Sequence, residues 1–321
     1  MADKKIIAVM GATGAQGGGL ARAILCDPTG EFSLRVVTMN AESDRAKALA
    51  QLGAAVTVAD ADIPQTLKPA FEGAFGAFCL TNFWEHFSPE RELAQAEAMS
   101  TAAREAGLRH VIWSTLENTR RWVPLSDDQM PTLMGKYKVP HFDAKGEANR
   151  LFTERGVPTT FMLTSFYWDN FIHFGLHPTR SQDGTLTIAL PMGDKKLPGI
   201  AVEDIGRCAY ALFKKGREFV GRTIGIAGEH LTGSAMASQM SEALGQEVRY
   251  EDVSPEVYRT LPLSGAAELA NMFQFKRDFQ DVFCGARSVE VSRALNPSLQ
   301  TFGQWLAENK GCIPLDRGSL G

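Results

Sequence analysis

The chain is short of several things, and each shortage excludes something. Its five cysteines, Cys26, Cys79, Cys208, Cys284 and Cys312, are scattered and odd in number, with no CxxC pair among them. Neither a zinc site nor a disulfide framework is indicated, and reduced thiols in a cytosol are expected. No apolar run approaches the roughly 18–20 residues that a membrane helix needs. The opening MADKKIIAVM is too short and wrongly ordered for a signal peptide, so a cytoplasmic protein without membrane contact is expected. A net charge of −4 supplies no global basic field, which argues against direct nucleic-acid binding. There is no internal repeat and no low-complexity tract. What remains is an ordinary globular composition, 321 residues with 44% hydrophobic and 22% charged, enough for a large core in one or two domains.

The organising stretch is 4–25, KKIIAVMGATGAQGGGLARAIL. Lys4–Met10 reads as a buried strand. Gly11, Gly14 and Gly17 follow at a spacing of three, and an apolar helix opens after them. Strand, glycine turn and helix start form the context of a dinucleotide fingerprint. Glycines allow a tight turn and a close backbone approach to a pyrophosphate, and the helix N-terminus adds partial positive charge. NADP or NAD is the expected ligand.

Strand and helix patterns then alternate. Strand-like runs fall at 34–38, 55–59, 75–80 and 110–114, with helical patterns at 43–52, 67–71 and 89–106. Such alternation predicts an α/β fold with a Rossmann-type doubly wound parallel sheet. The residues just after strands then line one ligand edge: Met39, Asp60, Thr81, Asn82, Ser114 and Thr115. Residues 116–144 break the rhythm, and long loops in compact domains are often lids or binding loops. A helix resumes over 142–155 and a sixth strand over 159–164. An aromatic segment follows, then two strand-like runs, a helix over 202–213 and a strand over 223–227. From Thr232 the pattern is mostly helical. The expected organisation is a Rossmann domain over 1–164, with 193–229 returning to it, and a smaller α-rich C-terminal cap from 165–192 and 230–321.

Several residues carry chemistry. Lys145 heads a helix after the fifth strand, where short-chain dehydrogenases carry Tyr-x-x-x-Lys; the lysine there holds a ribose and helps a tyrosine donate a proton. Here the tyrosine position is His141, which reads either as an acid–base group or as a loop histidine in a structural hydrogen bond. Tyr137 lies four residues further upstream, but Pro140 argues against one helix joining them. Ser114 at the tip of the fifth strand suits either polarising a carbonyl or an ordinary cap. Thr81 and Asn82 end the fourth strand beside the expected nicotinamide ribose. Tyr167, Trp168, Asp169 and Asn170 follow the sixth strand as nicotinamide contacts or as packing. His173 and His177 have metal-like spacing without a third ligand, so no metal is expected. At the tip of the second strand, where an acid would hold the ribose of NAD or an arginine the 2′-phosphate of NADP, stands Met39. Arg45 and Lys47 on the next helix are within possible reach of such a phosphate.

These residues share a pattern. GATGAQGG (Gly11–Gly18), RVVT (Arg35–Thr38), TNFWE (Thr81–Glu85), HFDAKGE (His141–Glu147), YWDN (Tyr167–Asn170), LPMGD (Leu190–Asp194) and ANMFQF (Ala270–Phe275) together resemble the NmrA-like family over nearly the whole chain. The resemblance implies an atypical short-chain dehydrogenase fold that binds NADP(H) or NAD(H), with NADP the more usual. Known members act as redox sensors through transcription regulators or other protein partners. A related branch, the isoflavone-reductase-like enzymes, works through the lysine without the tyrosine, which keeps a reductase of a small carbonyl or enone as the alternative. Carried over by position, cofactor contacts fall on Gly11, Thr13, Gly14, Ala15, Gln16, Gly17, Asp60, Ala61, Thr81, Asn82, Phe83, Lys145, Tyr167, Trp168, Asp169 and Asn170. Catalytic roles, where there are any, fall on Lys145, His141 and Ser114. Two family cations are missing: the arginine for the 2′-phosphate is Met39, and a lysine on the helix after TNFWE is Ala94. Both losses weaken the implied preference for NADP. The 116–140 insert reshapes the rim of the cleft.

Overall fold

A computed structural model describes residues 4–27 and 29–315. The chain forms two compact units. One comprises the chain up to Asn118 with Pro140–Thr164 and Val202–Ile224; the other comprises Thr119–Val139, Ser165–Ala201 and the chain from Gly225 onward.

The first unit is built on a seven-stranded sheet. Its first six strands in chain order are β1 (Lys5–Met10), β2 (Phe32–Thr38), β3 (Ala55–Val58), β4 (Gly76–Cys79), β5 (His110–Thr115) and β6 (Thr159–Leu163). The spatial order is β6-β5-β4-β1-β2-β3, with Thr223–Gly225 as an edge strand beside β6. Pairing among the six is parallel throughout. The interior strands are apolar on both faces because helices cover both sides, as α1 (Ala15–Leu25), α2 (Asp44–Gln51), α3 (Leu67–Phe71), α4 (Pro89–Glu105) and α5 (Pro140–Glu154) do here. The doubly wound sheet read from the alternation is therefore present. Strand order reverses between β1 and β4, which opens a crevice at their C-terminal ends.

Helix α5 begins earlier than the apolar pattern suggests. Pro140 opens it, since a first-turn residue needs no N–H donor. Tyr137 stays outside, in a bridge with Leu133. His141 is thus a helix residue rather than a loop one.

Helix α1 packs on Val202–Lys215 at backbone distance. A Cβ on Gly206 would lie 2.0 Å from the carbonyl carbon of Gly19, and one on Gly19 would lie 2.8 Å from Val202 O. Below the sheet, Phe71, Met99, Val111, Trp113 and Phe152 form one core cluster. Trp113 and Phe152 stack with ring centroids 5.1 Å apart.

The second unit holds two three-stranded sheets. One orders Glu229–Thr232, Lys196–Ile200 and Phe166–Tyr167; the other orders Val248–Asp252, Leu186–Leu190 and Thr179–Arg180. Helices Gly233–Leu244, Ala266–Asp278 and Phe302–Asn309 match the helical reading of this region. Two short ones, Gln280–Gly285 and Val289–Leu295, have too little apolar periodicity to stand out in the sequence. The long 116–144 stretch lies largely in this unit. Asn271 Nδ2 donates to Pro131 O at 2.9 Å and to Lys138 O at 2.6 Å, and Gln274 Nε2 donates to Gln129 O at 2.9 Å. The polar members of ANMFQF therefore hold the insert. Among the described residues, no helix is long and apolar enough to cross a membrane.

One buried polar group in the first unit makes its stability depend on pH. His110 Nε2 lies 2.9 Å from Thr160 Oγ1, whose hydroxyl donates to Phe219 O at 2.8 Å. The threonine proton is thus committed, so Nε2 carries the histidine proton and Nδ1 is bare. Nδ1 is buried with no hydrogen-bond partner. Protonating it would bury an unsatisfied cationic donor, and desolvation pushes the imidazole down from its ordinary 6.5 to about 4. The unfolded chain then binds a proton that the fold refuses. Stability from this group is full above pH 6.5 and falls as pH drops toward 4, by up to ~1.4 kcal/mol per unit. Urea midpoints taken from pH 7.5 to pH 5 should fall for the wild type and show a shallower fall for His110→Asn. A second expectation concerns Gly206. Gly206→Ala should cost roughly 2 kcal/mol or more in urea unfolding, because backbone rather than a movable side chain fills the space.

Candidate functional site

The glycine loop leaves the end of β1 and turns straight into α1. Gly11 has φ +61, a left-handed conformation that favours glycine. Gly14 N–H donates to Gly11 O at 2.9 Å and closes the turn. A Cβ on Gly17 would lie 2.4 Å from Gly11 O, so no other residue fits there without moving the loop. Gly14 caps α1 without a side-chain bond, and no acid stands in its first turn. The helix's own carbonyls do not reach the first-turn N–H groups. An uncapped helix start behind a glycine cradle is a fitting seat for a pyrophosphate.

Around this loop the first unit gathers most of the residues expected from the sequence. Ser114, from the tip of β5, donates its hydroxyl proton to Gln16 Oε1 at 2.7 Å. Thr81 follows β4. Its carbonyl accepts from Lys145 Nζ at 2.9 Å, and its hydroxyl accepts from the same ammonium. The Thr115 hydroxyl lies 3.0 Å from Lys145 O and 2.8 Å from Asn149 Oδ1 and shares its one proton between these acceptors, which ties α5 to β5. Phe83 is buried and rests on His141, with ring centroids 5.7 Å apart. His141 is buried among Phe83, Trp84 and Phe142, at 5.0 Å from the Trp84 ring. This is an aromatic packing environment.

The remaining expected residues sit less centrally or in the other unit. Asn82 Nδ2 donates to Glu85 Oε1 at 2.7 Å. Asp60 follows β3; its N–H donates to Thr66 Oγ1 at 2.9 Å, its carboxylate accepts from Asp62 N–H, and Ala61 beside it packs partly on the core. Met39 is 64% exposed at the tip of β2. Tyr167, Trp168, Asp169 and Asn170 belong to the second unit. There the Trp168 ring is buried against Phe302 and Trp305, and a Cβ on Gly199 would lie 2.1 Å from its Nε1. The second unit also has a cleft of about 580 Å³, lined by residues such as Asp127, Gln129, Glu256 and Arg277, and it contains none of the expected site residues.

One residue went unnoticed in the sequence. Glu92, in the first turns of α4, is 1% exposed, and its Oε2 lies 3.2 Å from Lys145 Nζ, whose side chain is 12% exposed. Lys145 also donates to Glu92 Oε1 at 3.3 Å. An ammonium has three donors, and here Thr81 O, Thr81 Oγ1 and Glu92 take them all. The legible signal was Glu92 standing in the stripe Glu92, Ala96, Met99, Ala103, all buried on one face of α4. A charge inside an apolar stripe asks for a partner.

Burying two charges is repaid only while both are present, so removing one alone is costly. Lys145→Ala should lower stability by about 3 kcal/mol at neutral pH, and by clearly less in a Glu92→Gln background. A double-mutant cycle read by urea unfolding checks this. Purely additive losses would mean that the two groups are not coupled.

The geometry has counterparts among known proteins. Residues 3–306 match the model of the NmrA-like family. The NmrA-like family domain-containing oxidoreductase FrzB of Cladobotryum sp is 28% identical over 294 residues, covering 84% of this chain and 83% of that protein. The oxidoreductase malD of Malbranchea aurantiaca is 27% identical, covering 82% and 80%. Among solved structures, NmrA, a negative transcriptional regulator, in complex with NADP superposes with a TM-score of 0.78 at 22% identity, covering 95% of each chain. The Citrobacter sp. triphenylmethane reductase complexed with NADP(H) superposes with a TM-score of 0.74 at 19% identity, covering 94% of this chain and 99% of that one. At these identities the structural likeness carries the fold.

Proposed function

The chain belongs to the NmrA-like family, and we propose that it is a cytoplasmic NAD(P)(H)-binding regulator that reads nicotinamide redox state and acts through a protein partner. The dinucleotide part rests on the cradle at the end of β1 and the uncapped start of α1, in the β1–β4 crevice where such folds bind nucleotides. NmrA, whose fold this chain shares, is solved with NADP and with NAD. On this reading Gly11 to Gly17 hold the pyrophosphate, and Thr81, Asn82 and Lys145 face the nicotinamide ribose.

The observation that carries the regulatory half is where the polar hydrogens go. The Ser114 hydroxyl is given to Gln16, and the Lys145 ammonium is divided between Thr81 and Glu92. His141 stands in the tyrosine position amid aromatic rings. Ser114 and Lys145 thus spend their polar hydrogens within the protein, which supports a binding role over turnover.

A second reading, an NAD(P)H-dependent reductase of a small carbonyl or enone, is favoured by the relatives named as oxidoreductases. Here Lys145 anchors the ribose, and His141 or Ser114 assists.

Two measurements separate these readings. Tryptophan fluorescence titrated with NADP, NADPH, NAD and NADH should show saturable binding, with unequal affinity for the oxidised and reduced forms. A screen of carbonyls, enones and quinones should leave bound NADPH unoxidised. Steady oxidation at about 1–1000 per second would establish the reductase instead.

A further inference from the structure

Position 39 lacks the cation that would read a 2′-phosphate, yet a cation stands over the same gap. Arg45, in the first turn of α2, sends its guanidinium back across the loop, and Nη1 donates to Thr13 O at 3.0 Å. Thr13 lies within the glycine turn, between Gly11 and Gly14. A side chain that starts beside the tip of β2 and ends on the β1 loop spans the gap where a Rossmann fold seats the adenosine ribose. We infer that Arg45 is the residue that discriminates NADP from NAD, by engaging the 2′-phosphate from α2. The inference rests on the proposed dinucleotide reading.

The neighbours leave this role to Arg45. Met39 has no hydrogen-bond donor and no charge. Asn40 spends its side-chain oxygen on Glu42 N–H at 2.9 Å. Lys47 is paired with Glu42 at 3.1 Å. Arg35 points to the other end of the sheet and donates to the carbonyls of Ala70 and Glu72. No carboxylate occupies position 39 or 40 to hold the 2′- and 3′-hydroxyls of NAD. A guanidinium has five donors, and the bond to Thr13 uses one. Among the described residues, Arg45 makes no other polar contact. Its exposed, planar fork suits bidentate capture of a phosphate. The loop that carries it is firm, since Ser43 caps α2 at Ala46 N–H and Thr38 and Asn40 bond within the turn.

The test is direct binding by calorimetry, with NADP, NAD, adenosine 2′,5′-bisphosphate and AMP as probes. The wild type should prefer NADP over NAD, and the bisphosphate over AMP, by about tenfold or more at low salt. That preference should shrink as salt rises, because the guanidinium is exposed. Arg45→Ala should bring both ratios close to one while NAD affinity changes less than about threefold, and Arg45→Lys should recover part of the preference. A thermal melt confirms that the variants fold. Equal losses for NADP and NAD in Arg45→Ala would mean that Arg45 only tethers the glycine loop, and unchanged ratios would place the 2′-phosphate elsewhere; either result overturns the proposal. If no dinucleotide binds the wild type, the underlying reading of the site fails, and this inference with it.

Discussion

The first unit depends on backbone meeting backbone at two places on one helix. At its start, α1 comes so near the loop that a methyl group on Gly17 would strike the Gly11 carbonyl. Further along, Gly19 and Gly206 bring α1 onto the helix Val202–Lys215 with no side chain between. The first contact aims the helix N-terminus at the crevice; the second locks the helix at that angle. Glycine weakens a helix by roughly 1 kcal/mol per residue relative to alanine, and α1 carries three, Gly17, Gly18 and Gly19. The helix is held by tertiary packing more than by its own propensity, which suits an element whose task is to present N–H groups at a fixed point.

Against that rigid frame the polar groups of the crevice form two closed pairings. Ser114 with Gln16 joins the tip of β5 to α1. Lys145 with Thr81 and Glu92 joins α5 to the end of β4 and to α4. Each pairing spans elements far apart in sequence, so each also holds the parallel strands in place at the ligand edge. The Lys145–Glu92 pair is weak ground for stability on its own, since desolvating both ions offsets most of their attraction. Its clearer consequence is positional, for it keeps a lysine stationed at the end of β4.

How far all this was legible in the sequence follows from what each signal measures. The sheet was readable because every interior strand of a parallel sheet is a short apolar run between turn residues, and β1, β2, β4 and β5 all have that form. The glycine loop was readable because glycine is the residue whose placement is set by backbone alone. Pro140 excludes Tyr137 from the helix, as the sequence suggests, but the helix starts at Pro140 itself rather than at Phe142, since a proline before a helix pattern looks the same whether it opens the helix or ends what precedes it. Glu92 was passed over because its partner lies fifty-three residues away in sequence and neither residue alone signals the other. Asn271 and Gln274 stood inside a family motif, yet their task of holding the insert appears only once both ends are in place.

Charge along the crevice is uneven. At the β2 end stands the exposed guanidinium of Arg45, in the middle the positive end of α1, and at the β4 end a lysine already matched by a carboxylate. Of the two side-chain cations, Arg45 is exposed with one backbone carbonyl for a partner, whereas Lys145 faces a buried carboxylate.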